Sequence, residues 1–152
     1  MQRTKQQGFS MVEILVTVVV IAIGLLGLAG LQATSLRNTE ESYQRSQAAT
    51  LAYDMLDRMR ANVAGVSAGD YDSITAAPGS YTDCTANTCT VSEMADFNNG
   101  DWQANIAAAL PSGGGTVSGN GSGSVFTITI SWDDDRDPNT AAASFTLSSR
   151  IS

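Results

Sequence analysis

From Ile14 to Leu31 the chain reads ILVTVVVIAIGLLGLAGL, 18 residues without a charge. As an α-helix such a run spans about 27 Å, close to the hydrocarbon thickness of a bilayer. Committing it to a membrane leaves roughly 90–120 residues for a soluble part, near the usual domain size, so one modest core is expected. Ahead of the run stands MQRTKQQG, polar, with Arg3 and Lys5 and no acid. Positive charge there keeps an N-terminus on the cytoplasmic side. Glu13 is out of place. It lies five residues after Gly8, against the apolar run, where a carboxylate costs about 2.5–3.5 kcal/mol to insert. It needs a cationic partner.

Three readings of this segment compete. A cleaved signal peptide needs an apolar stretch of about 7–15 residues and a small-residue cleavage site. Leu31–Ala33 offers LQA, but the core before it is too long. A plain signal anchor fits the length and leaves Glu13 unexplained. The third reading rests on GFSMVEILV, Gly8 to Val16. It resembles the N-terminus of the type IV pilin-like family in Gly8, Phe9, Glu13 and leader length together. That resemblance implies that an inner-membrane peptidase cuts after Gly8 and that the exposed Phe9 is N-methylated. Glu13 is then the family's fifth-position glutamate. A neighbour's newly cut amine, one helical turn away in a packed bundle, would satisfy it, so that Glu13 sets assembly and register. Gly24, Gly27 and Gly30 suit close helix packing or local unwinding, since each weakens a helix by about 1 kcal/mol relative to alanine.

Past Leu31 the pattern becomes one-sided. Ala48, Ala52, Met55 and Met59 follow the spacing of a single helix stripe, widened by Leu51 and Leu56. The two methionines on it read as core filler rather than as a cofactor site. Glu41 with Arg45 and Asp54 with Arg58 are acid-first pairs four residues apart. No Pro or Gly interrupts 32–62, so one helix is expected from about Ser10 to Asn62, ending near Gly65 and Gly69. In VFTITISW, Val125 to Trp132, the large residues Phe126, Ile128, Ile130 and Trp132 alternate with Thr and Ser. That is a half-buried strand, worth about 6–12 kcal/mol of gross burial. Phe145, Leu147 and Ile151 repeat the alternation across the turn DDDRDPNT, giving an antiparallel hairpin. A short strand around Thr116–Ser118 precedes it. DWQANIAAALP predicts a short helix with Asp101 as N-cap and Pro111 as stop. Pro111 to Ser124, glycine-rich, reads as a flexible surface loop that could contact a partner subunit.

The resemblance narrows over Gly8 to about Asn62, where IGLLGLAGLQ and RSQAATLAYDMLDRMRAN are similar to the PilV-type minor pilins, the type IV pilus modification proteins. It implies an α+β chain with the type IV pilin fold: a long N-terminal helix packed on a small antiparallel sheet of about three strands. The expected organisation is a leader at 1–8, a transmembrane and assembly half at 9–35, an amphipathic half at 36–62 and a periplasmic head at 63–152. The implied partners are the major pilin, other minor pilins, the prepilin peptidase/methyltransferase and a large tip adhesin. The implied place is the inner membrane and then the pilus.

Composition removes other classes. The chain has no histidine, which excludes His-based triads and imidazole zinc sites. The Gly-rich stretch lacks the lysine of a phosphate loop. With a net charge of −7 and scattered Lys and Arg, no nucleic-acid partner is expected. Neither a catalytic site nor a cofactor is expected. Cys84 and Cys89, in TDCTANTC, are spaced too widely for a C-x-x-C redox pair and suit a small disulfide loop, worth about 2 kcal/mol and implying an oxidising compartment. Asp133, Asp135, Asp137 and Asn139 alternate like the opening of a calcium loop. Pro138 stands where glycine is wanted, Arg136 intrudes and Ser144 closes without an acid, so a solvated acidic turn is favoured over a metal site. Two further readings stay open: a minor pseudopilin of type II secretion, and a membrane-anchored periplasmic binding or enzyme domain.

Overall fold

The structure, a computed structural model, describes residues 10–121, 125–134 and 141–151. The chain divides into two compact units, Met1–Glu40 and Glu41–Ser152.

Helix α1, Met11–Ala61, begins where the Ser10 carbonyl accepts the Glu13 N–H at 3.0 Å. Within the first unit every side chain of this helix is exposed. Its hydroxyls are satisfied locally: Thr17 Oγ1 donates to the Glu13 carbonyl at 2.7 Å and Thr34 Oγ1 to the Gly30 carbonyl at 3.2 Å. Such back-bonding hides a polar group on an otherwise apolar surface.

In the second unit α1 turns one face inward. Gln44, Ala48, Ala52, Met55, Leu56 and Met59 are buried, the stripe expected from the spacing. Asn62, outside helical geometry at φ −120°, ψ 55°, ends α1 and caps α2, Val63–Ala68, by accepting the Gly65 N–H on its side chain. Gly69 closes α2 at φ 88°, a conformation glycine adopts without Cβ strain. Helix α3, Val91–Ala109, starts at a capping box: Thr90 Oγ1 accepts the Glu93 N–H at 3.3 Å, and a Glu93 oxygen accepts the Thr90 N–H at 2.8 Å. The expected short helix from Asp101 is thus corrected. Asp101 lies inside α3 and its carboxylate accepts Arg58 Nη2 at 2.6 Å, while the T-x-x-E box that begins eleven residues earlier supplies the start. Leu110 ends the helix before Pro111.

Strands β1 (Ser73–Ile74), β2 (Gly114–Ser118), β3 (Val125–Trp132) and β4 (Ala143–Arg150) form one antiparallel sheet in the order β1-β2-β3-β4. Four strands replace the expected three or so. The extra one has two residues, too few to show a period. The short strand expected around Thr116–Ser118 is β2, and it starts two residues earlier, at Gly114, inside the stretch expected as glycine-rich loop. Packing explains Gly115, which lies directly under the Trp102 indole.

One core joins the α1 stripe to Phe126, Ile128, Ile130 and Trp132, with Trp102 and Ile106 of α3 between them. Ala48 and Ala52 hold little volume, and Trp102 Nε1 reaches the Leu51 carbonyl at 2.8 Å. The outer face of the hairpin is a hydroxyl ladder. Thr127 faces Ser148 and Thr129 faces Thr146, each pair 3.3 Å apart.

Candidate assembly segment and head surface

Glu13 falls in the first turn of α1, where a negative side chain suits the helix dipole. It has no ion pair among the described residues. Gly8 and Phe9 lie outside the described residues. From Met11 to Leu36 the helix exposes fifteen large apolar side chains, far more than an isolated soluble surface tolerates. It is long and apolar enough to cross a membrane. A Cβ placed on Gly24, Gly27 or Gly30 would meet nothing within 4 Å. No contact among the described residues therefore calls for glycine there. Whatever uses these three positions is another molecule or a bend of the helix itself.

The head carries no comparable chemistry. Cys84 and Cys89 are joined in a disulfide. Just before that loop the Asp83 carboxylate accepts the Thr85 hydroxyl at 2.6 Å and the Thr85 N–H at 2.9 Å, and these bonds hold it below the usual carboxylate range. Thr82 bonds Glu93 at 3.5 Å, which ties the loop to the start of α3. Arg58 borders a groove with Asn62, Thr90 and Met94, but Asp54 and Asp101 already engage its guanidinium at 2.9 and 2.6 Å. A second groove is lined by Glu41, Arg45, Trp132 and Asp134. No three His, Cys, Asp or Glu side chains gather as metal ligands among the described residues. Of the calcium candidates Asp133 alone is described, its N–H bonded to the Pro111 carbonyl at 2.9 Å; Asp135, Asp137 and Asn139 lie outside the described residues.

Three residues that shape the head gave no sequence signal. Tyr71, buried, accepts from Asn98 Nδ2 at 2.8 Å and Asn62 Nδ2 at 3.1 Å. Burial pushes its phenol above the ordinary 10.0. Gln103 bonds both backbone groups of Gly115: Nε2 donates to the carbonyl at 2.7 Å and Oε1 accepts the N–H at 3.1 Å. A polar residue on a helix has no period that announces such a role.

Residues 3–29 match the family model for the prokaryotic N-terminal methylation motif, and residues 30–99 match that for Type IV pilin Tt1218. The chain is type IV pilin-like. No curated protein and no solved structure matches it. The methylation match takes in Gly8, Phe9, Glu13, Gly24 and Gly27; the pilin match takes in Gly30, the amphipathic half of α1, the disulfide loop and the first half of α3. The long helix and antiparallel sheet agree with the pilin fold. Pilins are structural proteins rather than enzymes, and a methylation-type N-terminus on an apolar helix is that of a membrane-anchored pilin that associates with other pilins and with the prepilin peptidase.

Proposed function

We propose that this chain is a minor pilin, similar to the PilV type, that joins other pilins in a priming or tip complex and so starts type IV pilus assembly. Twitching motility and adhesion, including display of a large tip adhesin, follow from that role. In this reading the leader 1–8 is removed after Gly8, Phe9 is methylated, 9–35 is the membrane and assembly half, 36–62 the amphipathic half and 63–152 the periplasmic head. The N-terminus starts on the cytoplasmic side, and the disulfide forms in the oxidising space outside.

One observation carries the reading. Half of α1 is bare, its glycines serve no contact among the described residues, and an acid stands at its start. Each feature is a cost to a solitary chain and an asset in a bundle. Desolvating Glu13 against hydrocarbon is unfavourable unless a cation sits beside it, and a neighbour's cut amine at the right height supplies one. Wrong heights leave two buried charges unpaired.

The test compares wild type with Glu13→Ala in cells. Mass spectrometry should find both starting at a methylated Phe9, while sheared pili should contain the wild type and lack the variant. A functional protein that keeps Met1–Gly8, or a variant that enters pili at the wild-type level, refutes the proposal. A deletion strain that twitches normally but fails to secrete exoproteins would assign the chain to type II secretion instead.

A further inference from the structure

The sheet has two borders, and they differ. At the β2 border, β1 pairs with Val117 and Ser118, and the Gln103 carboxamide occupies the N–H and C=O of Gly115. Gly115 therefore points away from β3. In an antiparallel ladder the backbone groups of successive residues alternate sides, so Ile130, opposite Gly115, points toward β4 and bonds Phe145. The same alternation turns Ser144, Thr146, Ser148 and Arg150 outward. Four N–H and four C=O groups thus line the open border of β4. Apart from a 3.5 Å contact of Ser149 Oγ with the Arg150 carbonyl, nothing among the described residues bonds them.

Natural sheets blunt such borders with Pro, Lys, bulges or shortness. β4 has eight residues, ASFTLSSR, and pairs with β3 in unbroken register. It uses none of these devices. Its inner side chains Phe145 and Leu147 are only half-buried against the core, leaving apolar surface that a neighbouring strand would cover. Arg150, at the end of the strand, is exposed and has no ion pair among the described residues.

We propose that the open border of β4 docks an extended segment of a different polypeptide, which adds to the sheet as a fifth strand, covers Phe145 and Leu147 and sets an acidic side chain against Arg150. The identity of the partner class rests on the membrane-anchored pilin reading. Two β4 strands of this chain could pair antiparallel, but ASFTLSSR carries no Asp or Glu, so a second copy of the strand offers Arg150 no acid. A heterologous strand is under no such limit, and main-chain bonds with alternate side-chain contacts are the usual chemistry of strand addition.

The test uses the full chain in its own cells, with a photoreactive amino acid at Ser148. Irradiation should join it to a polypeptide other than itself, through a segment bearing an acid near the joined residue. Thr146→Pro removes an outward N–H and leaves the β3 ladder whole, and Arg150→Glu reverses an exposed charge. Each should lower the yield about tenfold, the loss expected for about 1.4 kcal/mol. An adduct only with a second copy, no adduct, or a yield indifferent to both substitutions overturns the proposal. The mass of the N-terminus in the same sample separates the two ideas. A retained leader defeats the pilin reading, whereas a processed chain without an adduct defeats strand docking alone.

Discussion

Gly115→Ala should destabilise the head by about 2 kcal/mol, although it adds a single methyl group. That methyl would overlap the Trp102 ring and come within 2.7 Å of Ile106 Cδ1. Trp102 and Ile106 are both wholly buried, so neither can swing into solvent. Overpacking of this kind costs about 1–3 kcal/mol. Against it, alanine restricts the unfolded chain, a gain of about 0.4–1 kcal/mol at positions whose backbone accepts it. Gly115 is not among the positive-φ glycines, so that gain applies, and the clash outweighs it. The expected shift of the thermal midpoint is roughly 8 °C. Urea unfolding of the full chain in micelles, followed by tryptophan fluorescence, measures the difference. Trp102→Phe should recover part of the loss, because the smaller ring leaves space for the methyl, with a coupling of at least about 0.5 kcal/mol. A Gly115→Ala protein within about 0.5 kcal/mol of wild type, or a double variant that is strictly additive, would refute the packing account.

Tyr71→Phe should cost about 1–3 kcal/mol by leaving the buried Asn98 amide without its acceptor. The phenol is raised above 10.0, so its stabilising share is present below pH 10.0 and lost as pH climbs through the raised value; alkaline unfolding curves of the variant should lack that step. Thr90→Ala should cost about 1 kcal/mol in a denaturant titration at neutral pH. The Thr90 N–H and hydroxyl hold the Glu93 carboxyl below its ordinary 4.5, so the cap helps above that value and fades as pH falls through the lowered one; the variant should lose less on acidification than wild type. Gly27→Leu should leave the unfolding midpoint of the head unchanged and reduce recovery in sheared pili, since no described residue would meet a Cβ at Gly27 within 4 Å.

Much of this was legible because it depends on period. The α1 stripe and the alternation of β3 follow from spacing alone, and both elements stand within a residue of where the pattern puts them. Failures came where a single polar residue or a glycine decides. The T-x-x-E box at Thr90 marked the start of α3, yet Asp101 and Pro111 drew attention by their own cap and stop chemistry. Gly115 read as loop because sequence cannot show the Trp102 indole lying on it. Tyr71, Asn98 and Gln103 act through contacts distant in the chain, for which no local pattern exists. At the assembly segment, Glu13 and the glycines were legible as chemistry seeking a partner. Which partner meets them lies beyond one chain.

The Gln103 amide holds both backbone groups of Gly115. It imitates a peptide group, yet it is borne by α3, so the seam it closes holds only while that helix keeps one rotational setting. Rolling α3 by a single residue would swing the amide about 100° away and strip Gly115 of both bonds at once. Helix and sheet in this head are therefore geared: neither can creep past the other by small steps, and a push on one reaches the other as torque or not at all.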